Sequence, residues 1–312
     1  MPQSATIGHM DAIEIMGVTK TFGELAAVDD LSLIVPEGSV YGFIGPNGSG
    51  KTTTMRMVVN IFFPDRGRIR VFGQDSRAGR SGQIGYLPEE RGLHRRMEVR
   101  ALLEFHGELR GGRRVTEEVD QWLVRLDLAQ CARQRVDTLS KGMSQKVQFI
   151  AAVVPEPKLL ILDEPFTGLD PVSVDVIRAA ILELRRRGAT VILSTHDMSV
   201  AESLCDSILM IYRGRKVLDG TLESIQGQYG NDTIRVSAAG GFDDLPGVEK
   251  VRDLGQVQEL RMARGCDPQE VLRTLVARTR VSSFSIAKPS LHDIFVRIAG
   301  QEAAEEREAR HE

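Results

Sequence analysis

The 312-residue sequence has few cysteines, no excess charge of one sign and no long hydrophobic run. Cys131, Cys205 and Cys266 are far apart and form no C-x-x-C pair, which favours small buried hydrophobic residues over a disulfide or zinc site. The formal net charge is only −3, so the composition gives no electrostatic signature of nucleic-acid binding. We therefore expect no nucleic acid among the partners.

No stretch approaches about 18 consecutive apolar residues, the length that a membrane-spanning helix needs. The first ten residues also lack the basic start and apolar centre of a signal peptide. These absences predict a cytoplasmic chain that does not cross a membrane by itself. With 42% hydrophobic and 27% charged residues, it has the composition of an ordinary globular protein, long enough for a large α/β domain and a smaller one.

A glycine-rich stretch, Gly45-Pro46-Asn47-Gly48-Ser49-Gly50-Lys51-Thr52, stands between an apolar run and a helical pattern. The run Val40–Ile44 indicates a buried strand, and Thr53–Asn60 has one apolar helical face. This is the context of the G-x-x-x-x-G-K-[ST] phosphate loop, for which a chance match in such a chain has a probability of about 1%. Glycines have no side chain to block the approach of backbone N–H groups to an anion. The positive end of the dipole of the following helix also favours a bound anion.

Two carboxylates follow a second apolar run. Leu159–Leu162 reads as a strand buried on both faces, and Asp163 and Glu164 come directly after it. Open α/β sheets bind ligands at this carboxyl edge, so the pair is predicted to be catalytic, although a strand that simply meets solvent is the alternative. A further strand, Thr190–Ser194, leads to His196.

The periodicity divides the chain into segments. An α/β domain is predicted over residues 13–222, after an N-terminal segment of residues 1–12, and a helical subdomain interrupts it at about 93–155. Residues 225–300 are predicted to form a small α+β domain. Residues 301–312 are charged and have no apolar face, which predicts a disordered tail.

The motifs resemble, in their order and spacing, the ATP-binding subunits of ABC transporters. The match covers residues 13 to about 222 and is far more specific than any single motif. The motifs that carry it are Gly45–Thr52, Leu139-Ser140-Lys141-Gly142-Met143, Leu159–Glu164, Gly168-Leu169-Asp170-Pro171 and Ser194-Thr195-His196. The resemblance implies an α/β P-loop NTPase fold of the ABC-ATPase type with a helical subdomain, plus the small C-terminal α+β domain, and it implies ATP and Mg²⁺ as cofactors.

The resemblance also assigns residues to ATP. A lone aromatic such as Phe22 more often packs in a core, but it stands where family members stack a ring on adenine. The residues expected to bind the nucleotide within one chain are Phe22, Gly45, Pro46, Asn47, Gly48, Ser49, Gly50, Lys51, Thr52 and Thr53.

Hydrolysis of a γ-phosphate needs charge neutralisation, a positioned water and an acceptor for its proton. Lys51 supplies positive charge, and Mg²⁺ would be held by Thr52 and, through water, by Asp163. Glu164 is the expected proton acceptor. His196 resembles the family's switch histidine, which contacts the γ-phosphate and orients the water.

The family resemblance implies that one copy does not complete its own site. Ser140 and Gly142, at the start of a helix, would contact the γ-phosphate bound by a second ATPase subunit, expected to be an identical chain. Asp170 would lie at that interface. ATP would join two subunits face to face, and hydrolysis would release them.

Two departures from the family pattern narrow the resemblance. Glu89 stands where members carry a glutamine that touches Mg²⁺ or water, and we expect it at the metal site as an anion. Lys141 and Met143 replace the residues that members usually carry in the segment Leu139–Met143, which is the family's signature motif. Both departures, and the ending Pro289–Phe295, resemble exporter ATPases of the sodium and drug efflux types, which carry a similar C-terminal extension.

The leading interpretation is an ATPase subunit that powers an ABC exporter through separate transmembrane subunits, peripheral at the inner face of the cell membrane. The alternative is a soluble ABC ATPase that acts on ribosomes or DNA. Ribosome-acting members resemble two fused ATPase units, whereas this sequence has one set of motifs. DNA-acting members often insert long coiled coils or zinc-binding cysteines between the positions of Lys51 and Asp163, and this sequence has neither there. A small phosphoryl-transfer kinase is a third reading, but it leaves Leu139–Met143 unexplained.

Overall fold

The computed structural model describes residues 11–78, 83–90, 92–229, 233–263 and 265–309. The chain divides into two compact units, the first ending at Gly220 and the second beginning at Thr221. Each unit has its own hydrophobic core.

A six-stranded sheet forms the centre of the first unit, in the order β10-β9-β3-β8-β7-β6. Its strands are β3 (Val40–Ile44), β6 (Ile84–Leu87), β7 (Leu159–Asp163), β8 (Thr190–Thr195), β9 (Ser207–Tyr212) and β10 (Arg215–Thr221). Strands β3, β7 and β8 are buried along their whole length, as the continuous apolar runs predicted. The pairs β3–β8, β3–β9, β6–β7 and β7–β8 are parallel.

The register of these strands determines what meets at their carboxyl edge. Ile44 pairs with Thr195, and Asp163 pairs with Ser194. The phosphate loop follows Ile44 directly and leads into α1 (Lys51–Val58). The parallel register therefore places the loop, the first carboxylate and the end of β8 side by side.

A second sheet of the first unit has the order β2-β1-β4-β5. It consists of β1 (Asp11–Phe22), β2 (Leu25–Pro36), β4 (Arg66–Val71) and β5 (Gln74–Asp75). From the sequence alone, two shorter strands are predicted here, Ile13–Val18 and Leu31–Val35, with Phe22 in the turn region between them. Instead, the ladder continues past several register shifts to the pair Phe22–Leu25. Such β-bulges keep the pairing while interrupting the alternation of apolar residues, which hides the strand ends in the sequence.

Helices cover the sheets and form the helical subdomain. The subdomain contains α2 (Val99–Gly111), α3 (Thr116–Arg125) and α4 (Lys141–Val153), packed around buried residues such as Leu102, Val119 and Phe149. Two more helices of this unit, α5 (Pro171–Arg186) and α6 (Met198–Leu204), begin after the capping residues Asp170 and Asp197.

The second unit contains a four-stranded antiparallel sheet in the order β12-β13-β11-β14. The elements are α7 (Leu222–Gln228), β11 (Thr233–Ala238), β12 (Val248–Asp253), β13 (Gln258–Met262), α8 (Pro268–Arg278), β14 (Val281–Ala287) and α9 (Leu291–Ala309). Val271 and Leu275 of α8 pack with the buried residues of β11 and β13.

Two features of the second unit differ from the expectation. The sequence did not indicate β12, whose composition VEKVRD is mostly charged and exposed because it is an edge strand. The backbone of residues 301–309 continues α9, where a disordered tail was predicted. Alanine, glutamate, glutamine and arginine are strong helix formers and continue a helix without an apolar face.

Candidate functional site

Three glycines shape the phosphate loop. Gly45, Gly48 and Gly50 have φ angles of 148°, 77° and 109°, which side chains disfavour. A Cβ atom on Gly45 would lie 2.1 Å from the carbonyl oxygen of Ile211, and one on Gly50 would lie 2.4 Å from that of Ala27. Gly45 and Gly50 are therefore required for space as well as conformation, whereas Gly48 is required for conformation alone.

Lys51 reaches back into the loop. Only 6% of the residue is exposed, and its Nζ donates to the carbonyl oxygens of Gly45 at 2.7 Å and Pro46 at 3.0 Å. Burial lowers the pKa of Lys51, and nearby negative charges act in the opposite direction. Those charges belong to Glu164, Asp163 and Glu89. The ammonium group thus lies inside the loop that would surround the phosphates.

Asp163 is fully buried at the end of β7. Its Oδ1 accepts hydrogen bonds from Thr52 Oγ1 at 3.2 Å and Ser194 Oγ at 2.5 Å. Its Oδ2 is buried and has no hydrogen-bond partner within the described chain. An unpartnered buried carboxylate oxygen is costly, and a cation would remove that cost. The donor set of Thr52 and Asp163 therefore fits Mg²⁺, which prefers oxygen ligands.

These oxygens do not form a complete metal site. Across the described ranges, no group of three or more His, Cys, Asp or Glu side chains could hold a metal ion. Mg²⁺ usually takes one or two carboxylates and completes its shell with water and substrate phosphates. A site built from Thr52, Asp163 and ATP agrees with that pattern.

Glu164 adopts a left-handed backbone conformation with φ of 50°. Its N–H donates to Ser194 Oγ at 2.9 Å, and its Oε1 lies 3.0 Å from His196 Nδ1. The Glu164 side chain is 11% exposed and that of His196 is 59% exposed. Such strain in a non-glycine residue is typical of functional sites, because the surrounding structure has to maintain it. The contact fixes the carboxylate beside a solvent-facing imidazole.

Ser194 is a positioning residue that the sequence analysis treated only as part of a motif. It is fully buried, donates to Asp163 and accepts from the backbone of Glu164. One hydroxyl therefore orients the carboxylate of Asp163 and holds the backbone of Glu164. Its position two residues before His196 was visible in the sequence, but its two hydrogen bonds depend on the β7–β8 register.

Replacing Ser194 tests this role. We expect Ser194→Ala to lower the free energy of unfolding by roughly 1–3 kcal/mol, because a buried donor and acceptor lose their partner, and to slow ATP turnover. Chemical denaturation and steady-state ATPase assays measure both effects. Ser203→Ala, in an exposed helical position, is the matched control. Wild-type turnover in a folded Ser194→Ala variant would contradict the role.

The phosphate loop forms one wall of a cleft of about 790 Å³. Residues 47–53, Glu89 and Glu164 line it, and Phe22 and Leu25 provide an apolar region. Phe22 is 44% exposed and packs edge-to-face on Phe62, with ring centroids 5.3 Å apart. The structure thus brings the aromatic ring, the loop, the proposed base and Glu89 to one cleft.

The remaining predicted site residues do not line this cleft. Gly45 and Pro46 precede its lining residue Asn47, Asp163 precedes Glu164, and His196 contacts Glu164.

Ser140, Gly142 and Asp170 belong to other helices. The Ser140 side chain caps α4 by accepting from the Met143 N–H at 3.2 Å. Asp170 caps α5 by accepting from the Ser173 N–H at 2.9 Å. Hydrogen bonds from the Ser173 hydroxyl and from this N–H lower the pKa of Asp170. Gly142 follows Ser140 in the first turn of α4. All three therefore lie at helix N-termini away from their own phosphate loop.

The part of the chain that the structure describes contains no helix that is both long enough and apolar enough to cross a membrane.

Two protein families match the chain. The family described as "ABC transporter" matches residues 28–167. The family described as "ATP-binding protein DrrA1-3-like, C-terminal domain" matches residues 220–299. Together these matches fall on both structural units.

Curated relatives match over most of their length. An uncharacterized ABC transporter ATP-binding protein of Bacillus subtilis is 38% identical, over 91% of this chain and 97% of the relative. The Nod factor export ATP-binding protein I of Rhizobium sp. N33 is 35% identical, over 93% and 98%. The daunorubicin resistance ATP-binding protein DrrA3 of Streptomyces coeruleorubidus is 33% identical, over 93% and 96%.

Solved structures confirm the predicted fold class. An ATP-binding subunit of an ABC transporter is 30% identical and superposes with a TM-score of 0.67, covering 70% of this chain and 93% of that one. A nucleotide-free ATP-binding cassette at 24% identity and a TM-score of 0.62 shows the same fold. Nothing among these proteins favours the ribosome alternative. The chain therefore belongs to the ATP-binding subunits of ABC transporters, a family of ATPases that bind and hydrolyse ATP.

Proposed function

We propose that this chain powers export, as one of two ATPase subunits that dock on separate transmembrane subunits at the inner face of the cell membrane. The match of residues 220–299 to the DrrA1-3-like C-terminal domain carries this proposal. Relatives that match over both units are named for daunorubicin resistance and Nod factor export. The proposed export role rests on this similarity.

The cleft supports a specific division of roles in hydrolysis. Water attacks the γ-phosphorus, the bond to the bridging oxygen breaks, and ADP leaves. Glu164 takes the proton of that water, because its carboxylate lines the cleft beside the phosphate loop. His196, 3.0 Å from this carboxylate, holds it in position and faces the water. Lys51 transfers its hydrogen bonds from the loop carbonyls to the phosphate oxygens.

We assign Mg²⁺ to the oxygens of Thr52 and Asp163, with Glu89 at the same cleft. The ion would neutralise charge on the β- and γ-phosphate oxygens. Ser194 holds Asp163 for this purpose by donating to Oδ1, the oxygen that also accepts from Thr52 Oγ1. The unpartnered Asp163 Oδ2 is the observation that supports the assignment.

A metal titration tests the assignment. In Asp163→Asn, we expect the Mg²⁺ concentration for half-maximal ATPase activity to rise by roughly 10- to 100-fold, because the buried anionic ligand is lost. Asp175→Asn, with an exposed side chain on α5, is the matched control and should behave as wild type. An unchanged Mg²⁺ requirement in Asp163→Asn would contradict the metal site.

The proposed site requires a second copy of the chain. Ser140, Gly142 and Asp170 lie at helix N-termini outside their own cleft, where they remain available to another subunit. The N-terminus of α4 offers backbone N–H groups and a favourable dipole to an anion. We propose that it binds the γ-phosphate held by the partner ATPase, and that Asp170 lies in the interface.

The second unit is proposed to be an accessory domain of residues 225–300. Deleting residues 225–312 should change ATPase activity or pairing but leave ATP binding by the first unit intact. This expectation rests on the separate hydrophobic core around Ile234, Leu260 and Leu275. Equilibrium binding of a fluorescent ATP analogue measures the outcome. Loss of binding in a folded truncated protein would show that the two units depend on each other.

Co-purification separates the export proposal from its alternative. We expect the tagged chain, co-expressed with transmembrane proteins encoded beside it, to recover a transmembrane protein and to reach the membrane fraction with it. The Glu164→Gln variant should stabilise the ATP-bound pair and increase recovery. Recovery of ribosomes or DNA, without any membrane protein, would contradict the proposal.

A further inference from the structure

A two-residue turn, Arg213-Gly214, connects β9 to β10 and lines the ATP cleft. The N–H of Gly214 donates to the carbonyl oxygen of Ser49 at 2.9 Å. Its carbonyl oxygen accepts from the N–H of Asp29, also at 2.9 Å. Two backbone hydrogen bonds therefore attach this turn to the phosphate loop and to β2.

The residue in the first position of the turn is unusual. Arg213 and Gly214 have φ angles of 49° and 79°, the pattern of a type I′ hairpin turn. Asparagine, aspartate and glycine are preferred there, because other side chains crowd the backbone in the left-handed region. The turn itself does not need arginine. A side chain held in a disfavoured conformation beside a ligand site points to a role of that side chain.

The charge of Arg213 suits the ligand. Among the described residues that line the cleft, the cations are Lys51 and Arg213, and the anions are Glu89 and Glu164. ATP brings about four negative charges, and an arginine guanidinium forms forked, charge-assisted hydrogen bonds with phosphate. The guanidinium carbon lies 5.2 Å from the centroid of the Tyr212 ring, a cation–π contact that orients it.

We propose that Arg213 is a nucleotide-binding residue that contacts the phosphate groups of ATP from the β9–β10 turn. The hydrogen bond from Gly214 to Ser49 places the turn at the phosphate loop. The contact stabilises bound ATP through charge. This proposal depends on ATP binding, which membership of the family establishes, and it does not depend on the proposal of export.

Arg213→Asn removes the cation and inserts a residue that the turn prefers. We expect the Kd for ATP, from displacement of a fluorescent analogue, to rise about tenfold, because a charge-assisted hydrogen bond is lost. The affinity for adenosine should be unchanged, and the unfolding temperature of the nucleotide-free protein should be equal or higher. Arg213→Lys should retain part of the ATP affinity.

Arg215→Ala is the matched control, because Arg215 is exposed and pairs with Asp29 outside the cleft lining. ATP affinity equal to wild type in a folded Arg213→Asn variant would overturn the proposal. An equal loss for ATP and adenosine would also overturn it, since that result assigns the effect to the base or to the turn. Should Arg213→Asn not fold, Arg213→Gly decides by the same comparison, because glycine also suits the turn.

Discussion

Glu164→Gln should lower the steady-state ATPase rate by roughly 10²- to 10⁴-fold and leave ATP binding intact, because an amide cannot accept the proton of the attacking water. The side chains have nearly the same size, so the cleft keeps its shape. Glu164 lines the cleft, is 11% exposed, and lies 3.0 Å from His196, which makes it the carboxylate best placed to act as a base.

Two measurements separate loss of chemistry from loss of structure. The ATP affinity of Glu164→Gln and its unfolding temperature should stay close to wild type, while single-turnover hydrolysis slows by the full factor. Glu117→Gln, at an exposed position of α3, is the matched control and should hydrolyse ATP normally. Near-normal turnover by Glu164→Gln would refute the assignment of the base.

Ser140→Arg should lower ATPase activity by about 100-fold or more, although Ser140 does not line the cleft of its own chain. If α4 binds the γ-phosphate of a partner, a bulky side chain at its N-terminus blocks the contact between this helix and that phosphate. The affinity of a single chain for ATP should be unchanged. Steady-state hydrolysis and equilibrium binding of a fluorescent ATP analogue measure the two effects.

The loss of a helix cap has to be separated from this effect, because the Ser140 side chain accepts from the Met143 N–H. Removing a cap costs about 0.5–2 kcal/mol of stability. Ser140→Asp keeps a good cap but places a negative charge against the partner's γ-phosphate. It should therefore fold normally and lose activity as well. Full activity of Ser140→Asp would contradict the contact between α4 and phosphate.

Motifs with strict stereochemical requirements made the fold class and the cleft predictable. The glycines of the phosphate loop are required by positive φ angles and by backbone contacts as close as 2.1 Å, so they appear directly in the sequence. The runs that became β3, β7 and β8 are apolar throughout, because both faces of these strands are buried.

Features that depend on long-range register were not predictable. The hydroxyl of Ser194 reaches the Asp163 carboxylate and the backbone N–H of Glu164 only because β8 lies beside β7, about thirty positions earlier in the chain. Arg213 reaches the cleft because the next residue, Gly214, forms a backbone hydrogen bond with Ser49, which is more than a hundred residues away in the sequence. Arg213 carries no local pattern that would distinguish it from a surface arginine, and the motif that contains Ser194 does not reveal the two hydrogen bonds of its hydroxyl.

The edge strand β12 and the ends of two elements differ from the prediction for another reason. Strand β12 is exposed and charged, so it lacks the alternation that identifies a half-buried strand. Residues 301–309 have helix-forming side chains but no apolar face, so their helical backbone gave no amphipathic signal. Phe22 was expected in a turn and instead ends β1, because bulges extend the hairpin.

Mixing two inactive variants tests the shared site most directly. Lys51→Ala removes the ammonium of the phosphate loop, and Ser140→Arg blocks the N-terminus of α4, so neither variant should hydrolyse ATP alone. In a mixed pair, one cleft keeps both an intact loop and an intact partner helix. An equal mixture should recover roughly a quarter of the wild-type rate, because half of the random pairs are mixed and each has one intact site. No recovery at any ratio, with mixed pairs demonstrated by co-purification of two tags, would contradict a site shared between two copies.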